Sequence, residues 1–366
     1  MKVKELKAFV AELKFKEPFT ISAGTSYSTK NIIIVVEDDN GLKGFGEACP
    51  SFRVNRETVE SNLEALRKLA PEVIKLSPLN MERVREALGK VKGNPSIKAA
   101  LETALWDLLG KEIGKPLYNL LGGYREFIET DLTISLKAPE EMAYDAKKAV
   151  EMGFSVVKVK VGRGLPEDIR RVEVVREAVG DEIRIRVDVN EGWDLEEALR
   201  ALPKLAELKV ELCEQPLKAN DLKGLAKLRK EGLVPIMVDE SVHDSKEVLK
   251  VIEMEAADYI NIKLMKCGGI SEALRIAYIA EASGIKCMIG CMGESELGIA
   301  AATHVAQGVK NIEIADLDSD ILLADKLVEE GSVTLNNGLR KALGPGIGVK
   351  KLKEGLLPLV GRWVST

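Results

Sequence analysis

The sequence predicts an α/β fold in which an eight-stranded parallel barrel follows an α+β section. Three observations carry this. From about residue 128, short Val/Ile-rich runs alternate with amphipathic helical stretches. The run centres recur roughly every 26 residues, the length of one strand, one helix and two loops. There are eight such runs, which favours closure into a barrel. A doubly wound open sheet is the alternative that spacing alone leaves standing.

Taken in order, Lys2–Lys14 and Asn31–Val36 read as strands. Asp39-Asn40-Gly41 is a turn signal, and Leu42–Ala48 follows as the second arm of a hairpin. Helices are expected over Glu57–Ile74, Met81–Val91 and Ser96–Ile113. Pro95 and Ser96 suit a helix start, and Gly114-Lys115-Pro116 a stop. The barrel runs are Glu129–Ser135, Ser155–Lys160, Ile183–Asp188, Val210–Glu214, Pro235–Asp239, Asp258–Lys263, Lys286–Gly290 and Ile312–Asp316. From about Leu327 hairpin chemistry returns, with Ser332–Leu335, the Asn336-Asn337-Gly338 turn and a Gly/Pro-rich stretch. The expected organisation is a capping section at 1–125, a barrel at 126–326, and a segment at 327–366 that packs back on the cap.

Bulk composition narrows the function. Hydrophobic residues make up 46% of 366, enough for a sizeable core, and the net charge of -5 argues against a nucleic-acid partner. No apolar run approaches the ~20 residues of a membrane span. Five scattered cysteines suggest free thiols in a reducing cytoplasm. With only His243 and His304 present, a three-His zinc site is excluded and acid–base work falls on Lys, Asp or Glu. Both histidines read as structural.

Polar residues gather at the C-terminal ends of the runs, the face on which barrel enzymes build active sites. Asp188, Glu214 and Asp239 close three consecutive runs. One such Asp more often caps a helix. Three, about 4.8 Å apart, repel unless a cation joins them, and an all-oxygen set suits Mg²⁺. Lys158 and Lys160 share a strand face and point inward together. Lys160 and Lys263, on runs two and six, face each other across the mouth. That geometry fits removal of a proton from one face of a substrate and its return to the other. Lys158 is placed to hold a substrate carboxylate.

These residues resemble the enolase superfamily, in which a Lys or His base works with Mg²⁺. The resemblance spans nearly the whole chain and implies a modified TIM barrel, (β/α)7β, with an α+β cap completed by the C-terminal tail. Lys158-Val159-Lys160 and the lone Lys263 look like the muconate-lactonising subgroup. The mandelate-racemase subgroup uses a His on strand seven, and Cys287–Met292 contains none.

Asp316-Leu317-Asp318 is similar to the pair that binds the substrate ammonium in dipeptide epimerases, as are Asn261–Ile270 and Met292-Gly293-Glu294-Ser295. The resemblance also implies Thr133 as a substrate contact. Relatives acting on Ala-Glu carry basic residues near the positions of Gly24 and Glu296, so a hydrophobic or cationic second residue is expected here. Arg53, in the loop Ser51–Asn55, is expected in the same pocket. The resemblance implies an isomerase acting on a dipeptide, and a homo-oligomer. The runners-up on this scaffold are o-succinylbenzoate synthase, N-acylamino acid racemase and muconate cycloisomerase. The alternative from another class is a non-catalytic binding protein.

Overall fold

The structure is a computed structural model that describes residues 2–365. Its N-terminal part is an antiparallel sheet of β1 (Val3–Ile21), β2 (Gly24–Asp38) and β3 (Lys43–Ala48). A short α1 (Phe52–Asn55) leads to α2 (Val59–Val73), α3 (Met81–Gly89) and α4 (Pro95–Ile113). α4 is apolar on nearly every side because the cap sheet, α2 and the barrel mouth surround it. Its approach to β3 depends on Gly44 and Gly46. A Cβ on Gly46 would lie 1.9 Å from the Ala100 carbonyl oxygen.

The first hairpin is longer than the expected strands. β1 and β2 pair from Val3↔Asp38 to Ile21↔Gly24, so residues 15–30 extend a polar, partly exposed ribbon past the cap sheet. Apolar alternation marks only the part of each strand that faces a core.

After α5 (Leu117–Leu120) and β4 (Ile128–Glu129) comes the barrel. Its strands are β5 (Leu132–Ile134), β6 (Val156–Lys160), β7 (Arg184–Asp188), β8 (Val210–Glu214), β9 (Ile236–Val238), β10 (Tyr259–Lys263), β11 (Lys286–Gly290) and β12 (Ile312–Asp316). All are parallel and paired in sequence order, and a bridge between Thr130 and Ala315 joins the two ends of the sheet. The connecting helices are α6 (Pro139–Glu151), α7 (Leu165–Val179), α8 (Leu195–Glu207), α9 (Leu222–Glu231), α10 (Ser245–Glu253), α11 (Leu264–Cys267) with α12 (Ile270–Ala282), and α13 (Glu296–Gly308). Only the one-turn α14 (Ser319–Leu322) follows β12, which makes the modified barrel. Leu212, Met237, Met288 and Ile314 fill its interior in one small apolar cluster.

The tail divides. β13 (Val328–Gly331) pairs with β16 (Val349–Leu352), while β14 (Thr334–Asn336) pairs with β15 (Leu339–Lys341), and β15 pairs with β4 beside the barrel. Only β17 (Leu359–Val364) joins the cap sheet, on β1. Among the described residues, no helix is long and apolar enough to cross a membrane.

Candidate active site

Parallel register decides which side chains meet. Lys160 pairs with Asp188, and Asp188 with Glu214, so three charged residues end neighbouring strands at one level. Across the barrel Lys263 pairs with Gly290, and Gly290 with Asp316. Asp239 follows β9 directly. A cavity of about 470 Å³ opens here, between the barrel mouth and the cap. Lys160, Lys263, Asp239, Asp316, Asp318 and Thr133 line it. Lys158, Asp188 and Glu214 are buried behind them.

Lys158 Nζ lies 3.0 Å from Asp188, 2.7 Å from Glu214 and 2.7 Å from Asp316. Burial pushes its pKa down, but Asp188, Asp316 and Glu214 outweigh burial and hold it well above the ordinary lysine value. Lys160 Nζ donates to Asp188 at 2.6 Å and to Asn190 Oδ1 at 3.1 Å. Lys263 Nζ donates to Asp239 at 2.8 Å. Burial lowers the pKa of Lys263, yet Asp239 reverses that and leaves it raised. Burial and the neighbouring Asp188 raise Glu214. At the far wall, Asp318 accepts from the Thr133 backbone N–H at 2.6 Å, and burial beside Asp316 pushes it up to about 6.

The fit to a divalent cation can be judged from the oxygens. Glu214 Oε2 is buried and in no directed hydrogen bond, although it forms an ion pair with Lys158. Glu240 Oε2 is also without a partner, and burial near Asp239 and Asp188 pushes that carboxyl up to about 8. An under-satisfied Glu214 oxygen between Asp188 and Asp239 at neighbouring strand ends gives an all-oxygen donor set that suits a hard cation.

Several supporting residues carried no sequence signal strong enough to single out a role. Lys266, 2% exposed, donates to the Asp239 carboxylate and to the Val242 and Asn261 carbonyls. Gln215 accepts from the Asp239 N–H at 2.8 Å, which fixes the end of β9. Its scarcity, one of two glutamines in the chain, was the available hint. Asn190, Glu191 and Gln215 hold positive φ where β7 and β8 run out, so this backbone is strained at the mouth. Asn261 donates to Glu214 at 2.7 Å.

Arg53, Met292 and Gly293 lie in the cavity wall. Three other expected contacts do not. Gly24 sits at the hairpin turn beneath Arg53, whose Nη2 is 2.7 Å from where a Cβ would stand. Glu294 folds back to accept the Met292 N–H at 2.5 Å. Glu296 begins α13 and turns to the tail, accepting the Leu327 N–H at 3.1 Å with Lys326 3.7 Å away. Its carboxylate therefore faces the tail and not the cavity. His304 is buried in α13 and His243 pairs with Glu247, both away from the cavity.

Residues 5–122 match the family described as mandelate racemase / muconate lactonizing enzyme, N-terminal domain, and residues 141–354 match enolase C-terminal domain-like. A hydrophobic dipeptide epimerase of Enterococcus faecalis is 41% identical over 95% of this chain and 99% of its own. An L-Ala-D/L-Glu epimerase of Clostridium acetobutylicum is 38% identical over 97% and 100%. The crystal structure of the dipeptide epimerase from Enterococcus faecalis V583, complexed with Mg and L-Leu-L-Tyr, superposes with a TM-score of 0.93 over 96% of this chain and 100% of that one, at 41% identity.

Proposed function

Because the chain belongs to the mandelate racemase / muconate lactonizing enzyme family, we propose that it is a magnesium-dependent dipeptide epimerase. The observation that carries this is one cavity holding both opposed lysines and, at its far wall, the Asp316/Asp318 pair. The runner-up reactions act on substrates without a free ammonium and give that pair nothing to bind.

Asp188, Glu214 and Asp239 are the residues that would hold Mg²⁺. When bound, it supplies positive charge that makes the proton beside the substrate carboxylate acidic enough to remove. Lys158, buried behind the cavity wall between Asp188, Glu214 and Asp316, adds positive charge beneath that carboxylate. Asp316 and Asp318 take the N-terminal ammonium, which fixes the second residue's α-carbon between Lys160 and Lys263. The lysine that is neutral takes the α-proton, and the C–H electron pair moves into the carboxylate as an enediolate. The ammonium opposite returns a proton to the other face, which inverts the centre. The β1–β2 ribbon and the loop Ser51–Asn55 line the mouth on the cap side and narrow the approach of water.

Phe19, Ile21, Phe52 and Val54 in the cavity wall support an apolar second residue, and Arg53 disfavours a cationic one. Five free cysteines, four of them buried, support action in the cytoplasm, and we infer a homo-oligomer from the family resemblance.

Proton NMR in D₂O with a mixed dipeptide pool tests the reading. Expected are loss of the second residue's α-proton signal and growth of the L,D diastereomer, both abolished by EDTA. Exchange of N-acyl amino acids with silence on every dipeptide would overturn it.

A further inference from the structure

We infer that a second cavity, of about 280 Å³, receives the side chain of the dipeptide's first residue and selects large apolar ones. This rests on the dipeptide reading above and names the substrate class within it.

The cavity lies outside the barrel mouth, between the base of the β1–β2 ribbon, α6 and α14. It shares Phe15, Phe19, Thr133 and Leu322 with the catalytic cavity. Thr133 stands on that boundary and also touches both carboxylates of the ammonium site, through its N–H to Asp318 at 2.6 Å and its hydroxyl to Asp316 at 3.4 Å. A substrate ammonium held there puts the first α-carbon at the boundary. From that carbon the peptide bond must run inward, because the reacting carbon lies between Lys160 and Lys263. The first side chain must then leave in the outward direction, past Phe19 and Leu322.

What it meets there is an apolar inner wall beneath a charged rim of Lys16, Glu17, Lys137, Asp145 and Lys148. Ile134, Ala149 and Ile321 line the inner wall, and the half-exposed Met152 borders it on the solvent side. Phe15 and Phe19 stack with ring centroids 5.8 Å apart. At the rim, Lys137 is neutralised by Glu17 at 2.6 Å and Asp145 at 2.8 Å. Lys148 has no carboxylate partner among the described residues and lies 4.3 Å over the Tyr144 ring. A leucine or phenylalanine side chain gains apolar burial here, an alanine gains little, and a lysine meets a like charge.

The test is the initial rate of D₂O exchange at the second residue of Ala-Leu, Leu-Leu and Lys-Leu, with the full chain and Mg²⁺. Wild type is expected to favour Leu-Leu over Ala-Leu in kcat/KM by roughly tenfold or more, the range set by apolar contacts in a pocket. Met152→Trp, which fills the cavity from its exposed side, should lower that ratio by about tenfold. Lys148→Glu, an exposed position that leaves the core intact, should raise Lys-Leu relative to Leu-Leu by several-fold. A wild-type ratio near one, or ratios unmoved in both variants, would overturn the subsite while leaving the epimerase reading intact. Silence of wild type on every dipeptide sinks the epimerase reading and the subsite with it.

Discussion

At Gly290 the absence of a side chain is what lets the site exist. A Cβ there would stand 2.6 Å from Asn261 Oδ1 and 3.1 Å from Lys263 Cε, so the lysine's path to the cavity runs over a bare backbone. Gly290→Ala is expected to fold, because Gly290 lacks positive φ, but to push aside Asn261, with its hydrogen bond to Glu214, and to crowd Lys263. A misplacement of about 1 Å costs on the order of 10²-fold in rate, so kcat should fall by about that much with KM little changed. Steady-state kinetics beside an unaltered circular dichroism spectrum is the check. The two lysines make a second prediction. Lys160→Met and Lys263→Met should each abolish inversion, with losses of roughly 10²–10⁴-fold. Each should retain α-proton exchange on one epimer only, and the epimers should be opposite. Finding both variants confined to the same epimer would place both lysines on one side of the substrate.

Among elements, the join between cap and barrel decides whether the cavity has a wall. Glu47 at the end of β3 is fully buried against the start of α13. It accepts from the Ser295 hydroxyl at 2.7 Å, the Gly298 N–H at 2.7 Å and Asn31 Nδ2 at 2.7 Å. Asn31 in turn donates to the Gly293 carbonyl at 2.9 Å, so a cap carboxylate holds the loop that carries Met292 and Gly293. A second clasp runs from Glu102 on α4 to Ser271 at the start of α12. Glu47→Ala strands several buried donors, each costing roughly 1–3 kcal/mol. It should lower Tm by several degrees in calorimetry and raise KM more than it lowers kcat, because the wall loosens while the lysines stay in place.

For the whole molecule, acid stability has a specific contributor. His304 is buried where α13 meets α5, and its Nδ1 accepts the Tyr118 N–H at 3.0 Å. Burial pulls its pKa from 6.5 down to about 3. The unfolded chain takes up this proton below pH 6.5, whereas the folded chain refuses it until about pH 3. Its contribution is therefore intact above pH 6.5 and lost progressively as pH falls toward 3. His304→Asn keeps an acceptor for Tyr118 and should flatten the decline of Tm between those limits, as read by calorimetry across pH.

The same scale separates what was legible from what was not. Eight apolar runs at one spacing determined the barrel, because each strand and helix writes its own period into the chain. Strand-end placement determined the Lys158, Lys160, Lys263, Asp188, Glu214 and Asp239 set, because alternation along a strand is local. The reach of the β1–β2 ribbon, the split of the tail between barrel and cap, and the turning away of Glu296 were decided only in tertiary structure. A side chain at a helix start turns to a nearby unsatisfied donor, and for Glu296 that donor is the Leu327 N–H, 31 residues away in sequence. No local pattern records such a partner.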